Sequence, residues 1–363
     1  MDVVIRADSS TWFGSGHIMR CLTIAQALRS RGARVEFVCR QLKGNLNSYI
    51  TAKGFLVHEL EDTFNPELAP EEGGWSRTTW AADAAQTIRV LTAMSIKPQL
   101  LIVDHYGLDA GWEAQLKPFV DKLMVIDDLA NRPHRCDYLL DQNFYDNYEQ
   151  RYHQLVPPGC VKLLGPQYAL LRREFTRLQR KAPVAGGSGI RILVFMGGGD
   201  SSDETSKVLT ALDRTGRQDI VADVVVGMNN PHREKIAAQV STRPNWNYFC
   251  QVENLAEMMR EADLAIGAGG TSSWERCSAG LPTLVVIVAA NQQEVADKLV
   301  KEKLAVLGGY AGGDYVDFMA EQIIMLLDNP QLLRDMSARC MQIVDGCGVR
   351  RVVDVIMGAE NGA

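Results

Sequence analysis

A histidine directly behind a pair of glycines is the first residue with chemistry to offer, in Gly14-Ser15-Gly16-His17-Ile18-Met19-Arg20. The run follows a short apolar strand, Val3-Val4-Ile5, and opens a helical pattern. It therefore lies at the strand-to-helix turn of a βα unit, where open α/β sheets place their ligands. Glycine permits a tight turn and lets a ligand come close to the backbone. A helix N-terminus disfavours imidazolium, so His17 is expected as a neutral ring able to accept a proton, facing a crevice and not the core. A plainer reading competes, in which Gly14 and Gly16 only turn the chain and His17 only caps a helix; the histidine placed straight after the glycines decides for chemistry. Asp8, at the end of the strand, could orient the ring.

A second constellation spans Gly267-Ala268-Gly269-Gly270-Thr271-Ser272-Ser273-Trp274-Glu275 and runs on to Pro282. A glycine-rich turn leads into a helix whose first turn carries hydroxyls suited to phosphate. Glu275 follows at a spacing that lets one carboxylate accept two adjacent hydroxyls, the economical way to recognise the cis-diol of a ribose. A capping box, with Ser272 as N-cap and Glu275 three residues on, is the competing account. The next strand ends in Ala289-Ala290-Asn291-Gln292-Gln293, whose amides could bond sugar hydroxyls or an acetamido group, although Asn291 alone could be a helix cap. Gly197-Gly198-Gly199, also at a strand end, makes a plausible anion cradle, but three glycines by themselves are the weaker signal and a plain turn is the better reading. No Gly-Lys-Ser/Thr follows, so it is not a Walker A loop, and the dinucleotide fingerprint fails in spacing. Asp104-His105-Tyr106-Gly107 and Asp127-Asp128 concentrate acids at two further strand ends, where contact with a sugar competes with helix capping. His58, His134, His153 and His232 have no partners at metal-ligand spacing and read as surface or core residues.

The chain that must position these groups has 363 residues, 46% hydrophobic and 23% charged, enough for two α/β domains of about 150–180 residues. A net charge of −6 argues against nucleic-acid binding, which needs a surplus of Lys and Arg. Eight scattered cysteines without a Cys-x-x-Cys pair read as free thiols in a reducing compartment. The first residues lack a basic and then long apolar leader pattern, and no apolar run approaches the roughly 18–20 residues that span a bilayer. A cytoplasmic protein without a membrane segment is expected, and nothing demands more than a monomer.

Strands apolar on both faces alternate with helices: Val35–Cys39, Leu100–Asp104 and Lys122–Asp128 in the first half, with helices over His17–Ser30, 81–94 and 112–120. The second half repeats the architecture, with strands 191–196, 220–226, 262–266 and 283–288 and helices 255–261, from Trp274, 294–303 and 316–327. Such alternation predicts parallel sheets covered on both sides. Residues 61–80, rich in Pro, Gly and Glu, read as a surface insertion, with Glu71-Glu72 on a solvated face, and Arg180–Gly189 as a linker. The expected organisation is α/β: a first Rossmann-like domain over 1–180, a second over 190–330 and a helical tail over 331–363. The cleft between the two domains is the default ligand site.

These residues resemble the GT-B fold of nucleotide-sugar enzymes, in which the C-terminal half binds UDP. The second glycine motif with Glu275, together with Asn291-Gln292-Gln293, looks like the UDP site of the N-acetylglucosaminyltransferases that make peptidoglycan lipid intermediates. A closer likeness is to the UDP-sugar hydrolase family of pseudaminic acid biosynthesis, which acts on UDP-2,4-diacetamido-2,4,6-trideoxy-β-L-altropyranose. It is carried, in order, by Arg6-Ala7-Asp8 with the His17 motif, Val103-Asp104-His105-Tyr106, Ile126–Arg132, Leu140-Asp141-Gln142-Asn143, Leu164–Arg172 and the C-terminal motif. The resemblance implies water attack at the anomeric carbon with inversion, His17 taking the proton and UDP leaving, with no metal and no cofactor. It places Asp8, Gly14, Gly16, Asp104, His105, Tyr106, Asn291, Gln292 and Gln293 on the sugar, and Gly198, Gly199, Val252, Gly270, Thr271, Ser272 and Glu275 on UDP. A glycosyltransferase of the same fold, and a non-catalytic nucleotide-sugar binding protein, remain as alternatives.

Overall fold

A computed structural model describes residues 1–10, 14–62, 79–176 and 189–358. The core of the insertion and nearly all of the linker named above lie outside the described residues. The chain divides into two units, one of Met1–Asn143, Asn147–Leu170 and Gly348–Ala363, the other of Phe144–Asp146 and Leu171–Cys347.

The first unit holds seven parallel strands: β1 (Asp2–Ala7), β2 (Arg34–Arg40), β3 (Leu56–Leu60), β4 (Leu100–Asp104), β5 (Lys122–Ile126), β6 (Tyr138–Asp141) and β7 (Val161–Leu164). Their order is β3-β2-β1-β4-β5-β6-β7, so the direction of winding reverses between β1 and β4. Helices α1 (Gly16–Ser30), α2 (Asn47–Ala52), α3 (Trp80–Ala93) and α4 (Ala110–Leu116) connect them. Alternate residues of each strand face opposite sides. Val3, Ile5 and Ala7 of β1, with Leu100 and Ile102 of β4, pack in one core with Ile18, Leu22 and Leu28 of α1; Val4, Leu101 and Val103 belong to the other, with Trp112 and Leu116 of α4. α4 stops earlier than the apolar pattern suggests, because Pro118 follows and the chain tightens into a 3-10 turn over Lys117–Phe119.

The second unit holds six parallel strands: β8 (Ile190–Phe195), β9 (Ile220–Val226), β10 (Trp246–Cys250), β11 (Leu264–Ala268), β12 (Thr283–Ile287) and β13 (Val306–Tyr310), ordered β10-β9-β8-β11-β12-β13. Its helices are α5 (Glu204–Arg214), α6 (Arg233–Ser241), α7 (Leu255–Glu261), α8 (Ser272–Ser278), α9 (Gln293–Lys301), α10 (Val316–Leu327) and α11 (Pro330–Ile343). Here the winding reverses between β8 and β11. Residues 331–363, read above as one tail, divide: α11 stays with the second unit, whereas α12 (Gly348–Ile356) returns to the first. Val352, Val353 and Ile356 complete the core beneath α1, and Arg31 bonds Asp354 at 2.9 Å. A Cβ at Gly348 would lie 2.3 Å from the Ala169 carbonyl oxygen, so only glycine lets α12 start there.

Candidate active site

In open α/β sheets, ligands bind beyond the strand ends where the winding reverses. In the first unit that point lies between β1 and β4, and His17 stands on the first turn of α1 beside it. Gly14 turns the chain into α1 at φ +71°, held by its N–H to the Ser10 carbonyl at 3.0 Å. Among the described residues, a Cβ on Gly14 or Gly16 would meet no atom within 4 Å.

The register of β1 and β4 decides what His17 meets. Asp104 pairs with Ala7 and shares the face covered by α1, while Asp8, one residue on, points to the opposite face. His17 Nδ1 accordingly lies 2.5 Å from Asp104 Oδ1. The expectation that Asp8 orients the ring is corrected: Asp104 does. Strand alternation was the signal that could have shown this, since Leu100, Ile102 and Asp104 have one parity.

Arg20, one turn after His17 on the same helix face, grips Asp104 with two bonds of 2.6 Å, Nε to Oδ2 and Nη2 to Oδ1. Its Nη1 donates to Asp128 at 3.1 Å, and the Tyr106 hydroxyl donates to the other Asp128 oxygen. Tyr106 also sets its ring edgewise to His17, with 4.7 Å between centroids. Burial opposes ionisation of Asp104, yet the Arg20 guanidinium and then His17 hold its carboxyl well below the usual range. The ionised oxygen at 2.5 Å outweighs the Arg20 Nη2 contact with the same nitrogen at 3.2 Å and favours the tautomer with its proton on Nδ1, in which Nε2 carries the lone pair. The residue is 8% exposed, so it is a buried ring at the strand ends.

Asp8 and His105 are committed elsewhere. Arg6 donates to Asp8 at 2.5 and 2.7 Å, the Arg40 N–H does so at 2.7 Å, and Arg6 and Arg40 both reach Asp83 on α3 at 2.6 Å. His105 accepts the Gly107 N–H on Nδ1 at 2.9 Å and turns Nε2 to Asp8 at 3.4 Å. Asp8, Asp104 and His105 thus brace the strand ends, their polar atoms buried against protein partners. Asp127 likewise folds its own loop, accepting the Ala130 N–H at 2.9 Å and the Tyr152 hydroxyl at 3.0 Å and pairing with Arg132 at 2.8 Å.

His134 belongs to this loop and is a core residue. Its Nδ1 lies 2.6 Å from Glu113 and its Nε2 3.9 Å from Asp127. Burial disfavours the charged ring, but the two carboxylates outweigh it and raise the pKa to about 9. Since the folded value exceeds the unfolded one, the stabilisation is complete below about pH 6.5 and is lost as pH rises to 9, an effect of about 3 kcal/mol. Denaturant unfolding between pH 6 and 10 is expected to show this decline, and His134→Gln to abolish it; the same slope in the variant would contradict the assignment.

In the second unit, β8 runs into Gly197, at φ +93°, then Gly198 and Gly199. Asp200 closes the loop by accepting the Glu204 and Thr205 N–H groups at 2.9 and 3.0 Å, capping α5. The Gly198 carbonyl packs so tightly on Gly227, just past β9, that a Cβ there would lie 2.2 Å from its oxygen. Gly227 was not singled out from sequence; nothing but its place after an apolar strand marks it.

β11 passes through Gly267–Gly270 into Thr271 and α8. The capping-box account does not hold. No side chain caps α8; Ser272 Oγ instead accepts from Arg276 at 3.0 Å, and Glu275 pairs with Arg172 at 3.3 Å. Burial raises the Glu275 pKa and Arg172 offsets part of the shift. Gln292 sits beside Gly270, its Nε2 within 3.5 Å of where a Cβ would be, and accepts the Val288 N–H at 3.3 Å. Asn291 and Gln293 are exposed on the same turn, and α9 starts after Gln292 without a side-chain cap, so Asn291 is no cap. Val252 is half-buried in the segment joining β10 to α7. The structure thus gathers Gly198, Gly199, Gly270, Thr271 and Ser272 at the β8 and β11 ends, and adds Arg276, which the motif contained but sequence reasoning gave no role.

Residues 191–339 match the glycosyltransferase family 28 C-terminal domain. The chain is 27% identical to the UDP-2,4-diacetamido-2,4,6-trideoxy-beta-L-altropyranose hydrolase of Campylobacter jejuni, over 83% of this chain and 97% of that protein. It is 24% identical to the spore coat polysaccharide biosynthesis protein SpsG of Bacillus subtilis, over 98% of each. In structure it resembles MurG of Acinetobacter baumannii, with a TM-score of 0.66 at 15% identity, over 98% of this chain and 99% of that one. This is a chain of GT-B-like fold, similar in sequence to a nucleotide-sugar hydrolase and, over residues 191–339 of its second unit, to the glycosyltransferase family 28 C-terminal domain.

Proposed function

We propose that this enzyme hydrolyses a UDP-activated diacetamido-trideoxy sugar, UDP-2,4-diacetamido-2,4,6-trideoxy-β-L-altropyranose, to the free sugar and UDP, as a step of pseudaminic acid biosynthesis. The observation that carries the reading is His17 held by Asp104, itself clamped by Arg20, at the β1–β4 strand ends of a chain similar to such a hydrolase. A water attacks C1 while the bond from C1 to the phosphate oxygen breaks, and the electron pair of that bond leaves with UDP. The water's proton passes to His17 Nε2, and C1 inverts. Asp104 stabilises the imidazolium as it forms. In the second unit Gly198, Gly199, Gly270, Thr271 and Ser272 take the diphosphate through backbone N–H groups and hydroxyls, and Glu275 takes the ribose, released from Arg172. Asn291, Gln292 and Gln293 offer amides to the acetamido groups. The acids at the first unit's strand ends are paired with arginines, which supports a reaction without a metal.

The family 28 match favours a second reading, transfer of the sugar to an acceptor alcohol. Among the described residues no helix is long and apolar enough to cross a membrane. The full chain incubated with the UDP-sugar alone, in EDTA, is expected to release UDP and free sugar in equal amounts, with NMR showing the inverted anomer first. UDP release that waits for an added acceptor would move the assignment to a transferase.

A further inference from the structure

We propose that Arg276 supplies the fixed positive charge that positions the nucleotide's diphosphate, acting from behind the two glycine-rich turns of the second unit. This rests on the reading of that unit as the UDP-binding one. The side chain leaves the second turn of α8 and folds beneath the ends of β8 and β11. Its Nη2 donates to the Ala268 carbonyl at 2.8 Å and to Ser273 Oγ at 3.0 Å, and its Nη1 to Ser272 Oγ at 3.0 Å. A Cβ at Gly267 would lie 2.7 Å from Nη1 and 2.7 Å from the Phe195 carbonyl oxygen, so that glycine is what admits the guanidinium between the two strand ends.

What sets this arginine apart is the lack of a direct ion pair; the neighbouring Glu275 carboxylate acts on it only through space. It is 2% exposed, its Nε has no acceptor, and among the described residues no carboxylate stands within ion-pair distance. The other buried arginines are all paired: Arg6 with Asp8 and Asp83, Arg20 with Asp104 and Asp128, Arg40 with Asp83. A buried cation left without a counter-charge is unfavourable, and an arriving anion relieves that penalty. Burial lowers the Arg276 pKa to about 10, which keeps it charged at neutral pH. Inside the protein its field is poorly screened and reaches the turns on either side of Gly267. Ser272 Oγ, accepting from the guanidinium, keeps its own proton to donate to a phosphate oxygen. Arg276 is therefore a positioning residue, and the ligand chemistry it selects is a phosphate diester or diphosphate.

Calorimetric titration of the full chain with UDP and with uridine separates charge from scaffold, because uridine has the base and ribose without the phosphates. Arg276→Met is expected to lose roughly tenfold or more in UDP affinity with uridine nearly unchanged. Ser273→Asp gives the guanidinium a carboxylate in place and decides the matter if the methionine variant does not fold; it is expected to lose the same preference for UDP over uridine. A folded variant that keeps the parental UDP-to-uridine ratio, or loses both ligands in equal proportion, overturns the proposal. A parent chain without UDP affinity overturns the UDP reading of the unit along with it, a result distinct from those of the variants.

Discussion

Replacing His17 by alanine is expected to lower kcat by about 10²–10⁴-fold while UDP affinity stays at the parental level. The two readouts separate because the groups assigned to UDP are all in the second unit, whereas His17 belongs to the first. In the variant the water must give up its proton without a base whose Nε2 lone pair is fixed by Asp104 at Nδ1. The loss is in the transition state and not in ground-state binding, so kcat and kcat/KM fall together. Small imidazoles added to the alanine variant are expected to restore part of the turnover, since the substitution leaves a ring-sized space beside Asp104. An alanine variant that binds UDP and turns over at the parental rate would remove His17 from the chemistry and leave it as a helix-start residue.

The architecture was legible where apolar runs are long. Leu100–Asp104 and Thr283–Ile287 are buried on both faces, and both were readable as strands of parallel sheets. The four edge strands β3, β7, β10 and β13 were not read, because their residues are partly exposed and interrupted by polar residues or glycine, as in Leu-Val-His-Glu-Leu and Val-Leu-Gly-Gly-Tyr. β6, four residues long, is too short to show a period. The return of α12 to the first unit could not be read either. Its strongly one-sided apolar face is visible, but nothing local says that the face meets α1, more than three hundred residues earlier. For the site, glycine turns before helices located His17 and the hydroxyls of Thr271 and Ser272. Misreading Asp8 had a different origin. Proximity along the chain suggested it, while the parity of β1 and β4 assigns it to Arg6 and gives His17 to Asp104. Arg276 and Gly227 act through packing between strand ends, which a linear motif does not display.

Asp104→Asn is expected to lower kcat by a factor in the range of about 10²–10⁴ and to destabilise the first unit by about 3 kcal/mol, with UDP affinity unchanged. The substitution keeps the shape and removes the charge. The carboxylate now accepts from His17, from Arg20 twice and from the Cys21 thiol at 3.5 Å, and an amide has one acceptor oxygen to offer in its place. If the amide oxygen faces His17, its NH₂ points at the Arg20 donors in a buried site, and two sets of donors oppose each other. If the NH₂ faces His17, it donates to Nδ1, moves the ring proton to Nε2 and removes the base. Either orientation leaves Arg20 with Asp128 as its remaining carboxylate, at 3.1 Å. Stability is read from denaturant unfolding and catalysis from UDP release at a temperature where the variant is folded, so that loss of fold and loss of base are measured apart. A variant that is destabilised yet hydrolyses at the parental rate would show that Asp104 only anchors Arg20. In that case the amide oxygen would still accept the Nδ1 proton and leave Nε2 free for the proton from water, so that the tautomer would be held without the charge of Asp104.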